Sequence, residues 1–235
     1  MAVNLEIGEK EPGQSIRQWG YGILRSNIIK MHLKPGLAIS ESEIAAELNA
    51  SRTPIREAFI KLVEDGLLET YPQKGSFVSL IDIEQAEEAR FVRKVLETAI
   101  TKAACEHFDE DCLFDLSANV EMQKFCSKRG NYERMFDLDN EFHRIIYRGC
   151  GKERTWLHIG KMAYNYNRLR ILHLSATSWD EVIYEHSEIA RLIEEHNVAV
   201  AHEIVGKYLS TALLGDLAVA VKHPEYFKQN IQDYV

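Results

Sequence analysis

Residues 40–66 decide the fold of the N-terminal part, and they read SESEIAAELNASRTPIREAFIKLVEDG. Ser40 stands three residues before Glu43, the spacing of a capping box that starts a short helix. Ser51 can cap a second helix, which stops at Gly66. The stretch therefore predicts two short helices joined by a tight turn.

The flanking sequence extends this pair into a larger motif. A longer helix precedes it, because apolar residues recur at helical spacing: Ile16, Trp19, Ile23, Leu24, Ile28 and Met31. Two strand-like pieces, Leu67–Tyr71 and Phe77–Leu80, follow it and are joined by a basic tip. The pattern predicts a winged helix-turn-helix whose wing is a small β-hairpin.

Such a motif binds DNA through the first residues of its second helix, which reach base edges in the major groove. Arg52 and Arg56 are four residues apart and so project from one face, and the arginine fork can engage guanine O6 and N7 together. Hydroxyl side chains suit phosphates, and a lysine beside a glycine lets the wing approach the backbone. The candidate DNA contacts are Ser42, Arg52, Thr53, Arg56, Lys74 and Gly75.

This region resembles the GntR family of bacterial transcription regulators over about Tyr21–Leu80. The segments that carry the resemblance are Pro35-Gly36, Glu41–Leu48, Ser51–Ala58, Leu62, Asp65-Gly66-Leu67 and Gly75–Val78. The resemblance implies operator contacts at Arg52, Thr53, Arg56 and Gly75. The alternative is that these arginines are solvated charges on a small helical subdomain.

Composition excludes several other classes of protein. Of 235 residues, 46% are apolar and 27% are charged, as in globular proteins. No apolar run approaches the roughly 18 residues that a membrane span needs, and the N-terminus carries charge where a signal peptide has an apolar core. The four cysteines form no C-x-x-C pair. We therefore expect a cytoplasmic protein with reduced thiols and no zinc finger.

The acidic charge is concentrated in the second part of the chain. The net charge is −8, of which residues 1–80 carry −1 and residues 81–235 carry −7. Residues 51–61 carry a local excess of two positive charges. A small basic element on a nearly neutral domain is compatible with DNA binding.

The second part is helical throughout. Its predicted helices are Ile83–Phe108, Glu110–Arg129, Tyr132–Arg148, Arg154–Ser175, Trp179–His196 and Val198–His223. We expect a mainly α protein with three regions: a flexible arm (residues 1–14), the winged helix-turn-helix (residues 15–81) and an all-helical bundle for effector binding and dimerisation (residues 82–235).

Polar residues interrupt the apolar stripes of this bundle. Asp139 and His143 lie four residues apart on one stripe, and His186 lies on the apolar stripe of a later helix. A carboxylate facing a core costs several kcal/mol, on the order of a lost hydrogen bond or more, unless it is paired or binds a metal. Oxygen and imidazole ligands suit a divalent metal such as zinc, nickel or manganese. Alternatively, Asp139 and His143 pair with each other or with Arg93.

Arginine also enters these stripes. Arg93 interrupts the stripe of the first bundle helix, and a buried guanidinium needs an anion from the protein or from a ligand. Arg168 and Arg170 are further candidates for binding an anionic effector, although the pattern does not show which side of the helix they occupy.

About Ile83–Lys222 resembles the FCD-type effector domain, the all-helical ligand-binding half of FadR-like GntR regulators. The residues that carry this looser resemblance are Arg93, Leu96-Glu97, Asp139, His143, Glu185-His186 and Ile189. Metal-binding members have a third histidine on the last helix, where this sequence has Tyr208. The resemblance implies that Tyr208 lines the effector site or closes it.

Together these patterns predict a repressor or activator that binds a palindromic operator as a homodimer. Its helical bundle would bind a small anionic metabolite, which we expect to be a carboxylate, with or without a divalent metal. The alternative is a metal-dependent hydrolase built on Asp139, His143 and His186, which would need a general base near the metal.

Overall fold

Two units make up the described part of the chain. The structure is a computed structural model that describes residues 5–199 and 221–230. The first unit runs to Ile83 and takes in the C-terminal segment that begins at His223, and the second covers residues 84–199 and 221–222. Both units are mainly helical, and the only sheet among the described residues is in the first unit, which confirms the predicted fold class.

The first unit is a winged helix-turn-helix. Its elements are α1 (Ile16–Ile29), β1 (Ala38–Ile39), α2 (Glu41–Glu47), α3 (Arg52–Glu64), β2 (Leu68–Tyr71) and β3 (Gly75–Val78). The strands form an antiparallel sheet in the order β1-β3-β2, with Tyr71 opposite Gly75 and Ala38 opposite Phe77. The hairpin prediction is confirmed, whereas β1 escaped prediction because two residues are too few to show a period.

The helix starts differ in how they are capped. The Ser40 hydroxyl accepts the Glu43 amide at 3.2 Å, as the capping spacing predicts. Ser51 is the N-cap residue of α3, as predicted, and has extended backbone, but its side chain makes no capping hydrogen bond. Pro54 is the third residue of α3 and has no N–H, so one of the two amides that a capping hydroxyl can accept is missing.

The stretch before α1 is tied to that helix. The buried side chain of Asn27 accepts the Glu6 amide at 2.8 Å and donates to the Glu6 carbonyl at 2.9 Å. The indole of Trp19 donates to the Gly8 carbonyl at 2.9 Å. Side chains of α1 therefore hold the backbone of this stretch at Glu6 and Gly8, although residues 5–10 form no regular secondary structure.

The second unit is helical. Its elements are α4 (Ile83–Glu106), α5 (Glu110–Ser127), α6 (Tyr132–Gly149), α7 (Glu153–Met162), α8 (Tyr164–Ala176) and α9 (Asp180–Glu194). The single helix predicted over Arg154–Ser175 is wrong, because the chain breaks at Ala163 into α7 and α8. Gly160 stands three residues before the break, but the apolar pattern continues through it, so the sequence predicted one helix. Most of the predicted helix Val198–His223 lies outside the described residues.

The core of the second unit is packed between α4, α5, α6 and α9. It includes Leu116, Phe142, Ile146 and Leu192, each less than 3% exposed. Polar side chains from the same helices are buried beside this core. Within residues 5–199 and 221–230, no helix has the length and apolar content needed to cross a membrane.

Removing the Asn27 side chain tests how the N-terminal stretch is held. Asn27→Ala leaves the Glu6 amide and carbonyl without their partner, and we expect the free energy of unfolding to fall by about 1–3 kcal/mol. Chemical denaturation measures this change. Arg25→Ala, on the exposed side of α1, is the control and should change it by less than about 0.5 kcal/mol. Equal effects of the two variants would contradict the role of Asn27.

Candidate functional site

The candidate DNA contacts of α3 lie on its exposed side. Arg52, Thr53 and Arg56 are exposed, while Ile55 on the opposite side is fully buried. Neither arginine makes an ion pair or hydrogen bond with a described residue. The guanidinium groups are therefore available to an outside anion.

The acidic residue next to Arg56 is partly neutralised. Arg17 Nε on α1 lies 3.8 Å from Glu57 Oε2, with both side chains about half exposed. This contact reduces the repulsion that Glu57 would exert on a phosphate, although an exposed pair of this kind contributes little stability.

The wing presents a cation at a sharp turn. Lys74 and Gly75 are exposed, and Gly75 has a φ of +100°, which a residue with a Cβ rarely adopts. Ser42 is exposed at the start of α2. All six predicted DNA contacts thus lie on the surface of the first unit.

The three predicted metal ligands meet inside the second unit. Asp139 and His143 come from α6, and His186 comes from α9. They are 4%, 3% and 0% exposed, and one ligand atom from each lies within 4.8 Å of the others. A polar cluster this deeply buried must satisfy its charges internally or with a ligand.

A buried amide fixes the proton of His186. Gln123 Nε2 on α5 donates to Asn119 Oδ1 at 2.7 Å, which leaves its oxygen to accept from His186 Nδ1 at 2.8 Å. With the proton on Nδ1, the lone pair of His186 lies on Nε2, which is 3.7 Å from Asp139 Oδ1. This is the tautomer in which a histidine ligates a metal through Nε2.

A carboxylate has the same effect on His143. His143 Nδ1 lies 3.2 Å from Glu97 Oε2 on α4, and a carboxylate oxygen favours a proton on that nitrogen. His143 Nε2 is buried and has no hydrogen-bond partner among the described residues. In both imidazoles, this arrangement of the proton places the lone pair on Nε2.

The predicted effector arginines are all buried, and two of them belong to this cluster. Arg93 Nε donates to Glu97 Oε1 at 2.7 Å, and Arg170 forms an ion pair with Asp139. Arg168 donates to Asn165, which in turn donates to Gln85. The alternative pairings of Asp139 and His143 with each other or with Arg93 are not the observed ones.

Aromatic rings surround the cluster. Arg93 lies 5.4 Å from the ring centres of both Trp156 and Tyr166, and Arg170 lies 5.8 Å from that of Tyr166. The ring of Phe142 stacks on His186 with centres 4.0 Å apart. Such a lining excludes water and strengthens the electrostatic interactions within it.

Burial keeps both histidines neutral. It lowers the pKa of His143 well below its usual range, and the charge of Arg93 adds to this effect. It also lowers the pKa of His186 well below its usual range, with further contributions from His143, Arg170 and Arg93. Neutral imidazole is the form that binds metal ions.

The sequence did not predict a role in this site for three of its residues. Glu97 appears only among the residues that carry the family resemblance, and Gln123 and Tyr147 were not predicted at all. The Tyr147 hydroxyl is buried with no hydrogen-bond partner among the described residues. Gln123 lies on the apolar stripe of α5 with Leu116 and Val120, which is the same signal that identified Asp139. Tyr208 lies outside the described residues.

The buried histidines predict a pH-dependent stability. Below about pH 6.5 the histidines protonate in the unfolded chain but not in the folded one, so the free energy of unfolding falls as the pH falls. Each contributes a slope of up to about 1.4 kcal/mol per pH unit, reached when the unfolded chain is fully protonated at that histidine and the folded chain is not. Denaturation between pH 5 and pH 7 with a chelator measures this slope.

The control variants separate this effect from general acid sensitivity. His186→Gln should reduce the pH dependence of the free energy of unfolding by the contribution of one histidine. His158→Gln, at an exposed position, should leave this pH dependence unchanged. An unchanged slope in His186→Gln would show that the buried imidazole is not the titrating group.

Two families match the chain. Residues 21–78 match the family described as bacterial regulatory proteins, gntR family, and residues 88–211 match the FCD domain. The first match covers the winged helix-turn-helix, and the second covers the helices that carry the buried cluster.

Similar proteins are transcriptional regulators. The HTH-type transcriptional repressor RspR of Escherichia coli (strain K12) is 30% identical over 79% of this chain and 82% of its own length. An uncharacterized HTH-type transcriptional regulator of Streptomyces ambofaciens is 30% identical over 92% of this chain and 91% of its own. These matches give no support to the hydrolase alternative.

Solved structures share the fold. E. coli McbR/YncC superposes with a TM-score of 0.74 at 17% identity, covering 89% of this chain and 99% of that one. A putative transcriptional regulator GntR from Rhodococcus sp. RHA1 superposes with a TM-score of 0.72 at 23% identity, covering 87% and 99%. The chain therefore belongs to the GntR family of bacterial regulatory proteins, and it is a transcriptional regulator, not an enzyme, that carries an FCD domain behind its winged helix-turn-helix.

Proposed function

We propose that this regulator binds a palindromic operator as a homodimer and that a small anionic metabolite, bound in its FCD domain, changes its affinity for that operator. The observation that supports the proposal most directly is the buried cluster of two imidazoles, two carboxylates and two arginines. Two-fold protein symmetry calls for two operator half-sites. A protein acting on the chromosome would work in the cytoplasm.

The operator contacts would come from α3 and the wing. Arg52 and Arg56 would contact base edges, and Thr53 and Ser42 would contact phosphates, because they are the exposed polar groups at the starts of α3 and α2. Lys74 would reach the backbone from the wing, where Gly75 leaves room for close approach.

A divalent metal such as zinc, nickel or manganese would be held by Asp139, His143 and His186. The donors fit such an ion, because two neutral imidazoles with their Nε2 lone pairs and one carboxylate converge. Arg170 pairs with Oδ2 of Asp139, whereas Oδ1 is the oxygen beside His186. When bound, the ion would offer a carboxylate oxygen of the effector a coordination position.

Charge balance supports an anionic effector. Arg93 and Arg170 balance Glu97 and Asp139, so the cluster is formally neutral with both histidines uncharged. A divalent ion would add two positive charges in a buried site, and an anion would offset them. Arg168 and Tyr208 are proposed as further effector contacts, the latter by family resemblance alone.

The effector can act only through a difference in affinity. It must bind more tightly to one arrangement of the two DNA-binding units than to the other. Its effect on operator affinity then equals the effect of the operator on effector affinity.

Substitution of the α3 arginines tests the DNA contacts. Arg52→Ala and Arg56→Ala should each weaken specific operator binding by about 1–3 kcal/mol, because each removes a base-edge contact. Titration of DNA from the gene neighbourhood, with excess competitor DNA and at several salt concentrations, measures this loss.

Arg129→Ala is the matched control, since it removes the same charge from an exposed position of the second unit. Its specific affinity should stay close to that of the wild type. Unchanged operator binding by both α3 variants would refute the assignment.

Near-isosteric substitutions test the metal site. Asp139→Asn combined with His186→Gln should abolish retention of zinc after dialysis, measured by elemental analysis. Gln123→Leu should weaken zinc binding by about 10–100-fold, because it removes the acceptor that orients His186. His158→Gln is the control for surface histidines. Zinc retained at full stoichiometry by the double variant would exclude this ligand set.

A further inference from the structure

One side of α5 is apolar and exposed. Phe114, Met122 and Phe125 are 75%, 45% and 52% exposed, and Ala118 is exposed between them. These four residues recur at intervals of four, four and three, so they form one stripe along the helix, which we call the α5 stripe. The opposite side, which includes Leu116, is buried in the core of the second unit. A helix that is apolar on both sides is typically covered on both sides, so the α5 stripe calls for a partner.

Charges of opposite sign flank the α5 stripe. Glu110 and Asp111 are exposed in the first turn of α5, and Lys128 and Arg129 are exposed just after its last residue. None of these four forms an ion pair with another residue in the described part of the chain. The guanidinium of Arg129 lies 4.8 Å from the ring centre of Phe125, so the basic end borders the stripe directly. The exposed surface is therefore acidic at one end, apolar in the middle and basic at the other end.

The order of side chains along this surface is nearly symmetric about the level of Val120. Moving outward from Val120, equivalent positions carry two side chains without charge, then two phenylalanines, then an acid and a base: Ala118 and Met122, Phe114 and Phe125, Asp111 and Arg129. Within each pair the distances from Val120 agree to within one residue. A two-fold axis at this level would place each residue opposite its counterpart in a second, antiparallel copy of α5. Apolar groups would then meet apolar groups, and each acid would meet a base.

We propose that the α5 stripe is the centre of the homodimer contact, with the α5 helices of the two subunits packed antiparallel. This inference rests on the homodimer proposed above and assigns a surface to it. Phe114 would lie against Phe125 of the partner subunit, and Asp111 would face Arg129 of the partner subunit. A parallel arrangement would bring like charges together at both ends and is disfavoured.

The size and composition of this surface suit such a contact. From Asp111 to Arg129 it is about 27 Å long at 1.5 Å per residue. This length is enough to centre an interface of ordinary size, which buries about 800 Å² on each subunit. Aromatic side chains at the centre of an interface supply most of its affinity, whereas exposed charges at its edge set the orientation and add little.

Light scattering of the full chain after size-exclusion chromatography tests the apolar part of the contact. At micromolar concentrations, without DNA, metal or effector, Phe114→Ser/Phe125→Ser should weaken dimerisation about 100-fold or more, because it removes two aromatic anchors from each subunit. Phe91→Ser is the matched control, since it removes a phenylalanine of α4 that is 66% exposed and lies outside the stripe. This control should dimerise like the wild type. Circular dichroism checks that each variant keeps its helices.

Charge reversal tests the antiparallel arrangement. Asp111→Arg and Arg129→Asp each place like charges opposite each other twice per dimer and should each weaken dimerisation about tenfold. The double reversal, Asp111→Arg/Arg129→Asp, should restore dimerisation to within about threefold of the wild type. Because the two positions are about 27 Å apart within one chain, such a rescue requires a second copy. Removal of one charge, as in Arg129→Ala, creates no repulsion and should change dimerisation little.

The outcomes separate this proposal from the function proposed above. A monomeric wild type would contradict the homodimer itself and this surface with it. A dimer that survives Phe114→Ser/Phe125→Ser, or one that Phe91→Ser disrupts equally, would overturn the α5 stripe alone. If the double phenylalanine variant loses its helices, the charge reversals decide, because they leave the apolar side chains in place. Absence of rescue by the double reversal would then refute the antiparallel contact.

Discussion

Glu97 and Asp139, the two buried carboxylates in the described part of the second unit, constrain the arrangement of its helices. Each would cost several kcal/mol if left alone, on the order of the penalty for an unpaired buried ion, and each is paired with an arginine. The pair of Glu97 lies within α4, whereas that of Asp139 joins α6 to α8. A shift of α8 by one turn would leave both Asp139 and Arg170 uncompensated. The charges therefore fix helix register more than they add stability.

The histidines connect this network to two further helices. His143 reaches α4 through Glu97, and His186 on α9 reaches α5 through Gln123. Apolar packing alone would tolerate small sliding of these helices, but a directed hydrogen bond such as the one between His186 and Gln123 restricts it.

In the first unit, unlike the second, the residues that form the core and the candidate functional residues lie on opposite sides of the same helix. Ile55 and Leu62 of α3 lie in its core, while Arg52 and Arg56 are exposed. The 3.6-residue period of a helix assigns each residue to the buried or the exposed side. For this reason the sequence predicted both the DNA-binding fold and its candidate contacts. The buried positions of Asp139, His143 and His186 were predictable on the same ground, since each interrupts an apolar stripe.

The partners of these residues were not predictable. Whether Asp139 pairs with Arg93 or Arg170 depends on how α4 and α8 are rotated, and no periodicity within one helix records this. The break at Ala163 was missed because Gly160 is the one helix-breaking residue near it and the apolar pattern continues on both sides. Ser51 occupies the N-cap position that its residue type predicts, but the sequence does not show that its side chain makes no capping bond.

The return of the chain to the winged helix at His223 bears on how such regulators can be recombined. Among the described residues, the second unit lies in sequence between two parts of the first unit, because residues 223–230 belong to the first unit and contact Ile81 and Ile83. A chimaera joined at one point near Ile81 would combine one protein's sheet with another protein's terminus, and Phe227 and Gln229 would face a foreign surface. Exchange of sensing domains between relatives should therefore use two crossover points, with the terminal segment kept from the parent that supplies the winged helix.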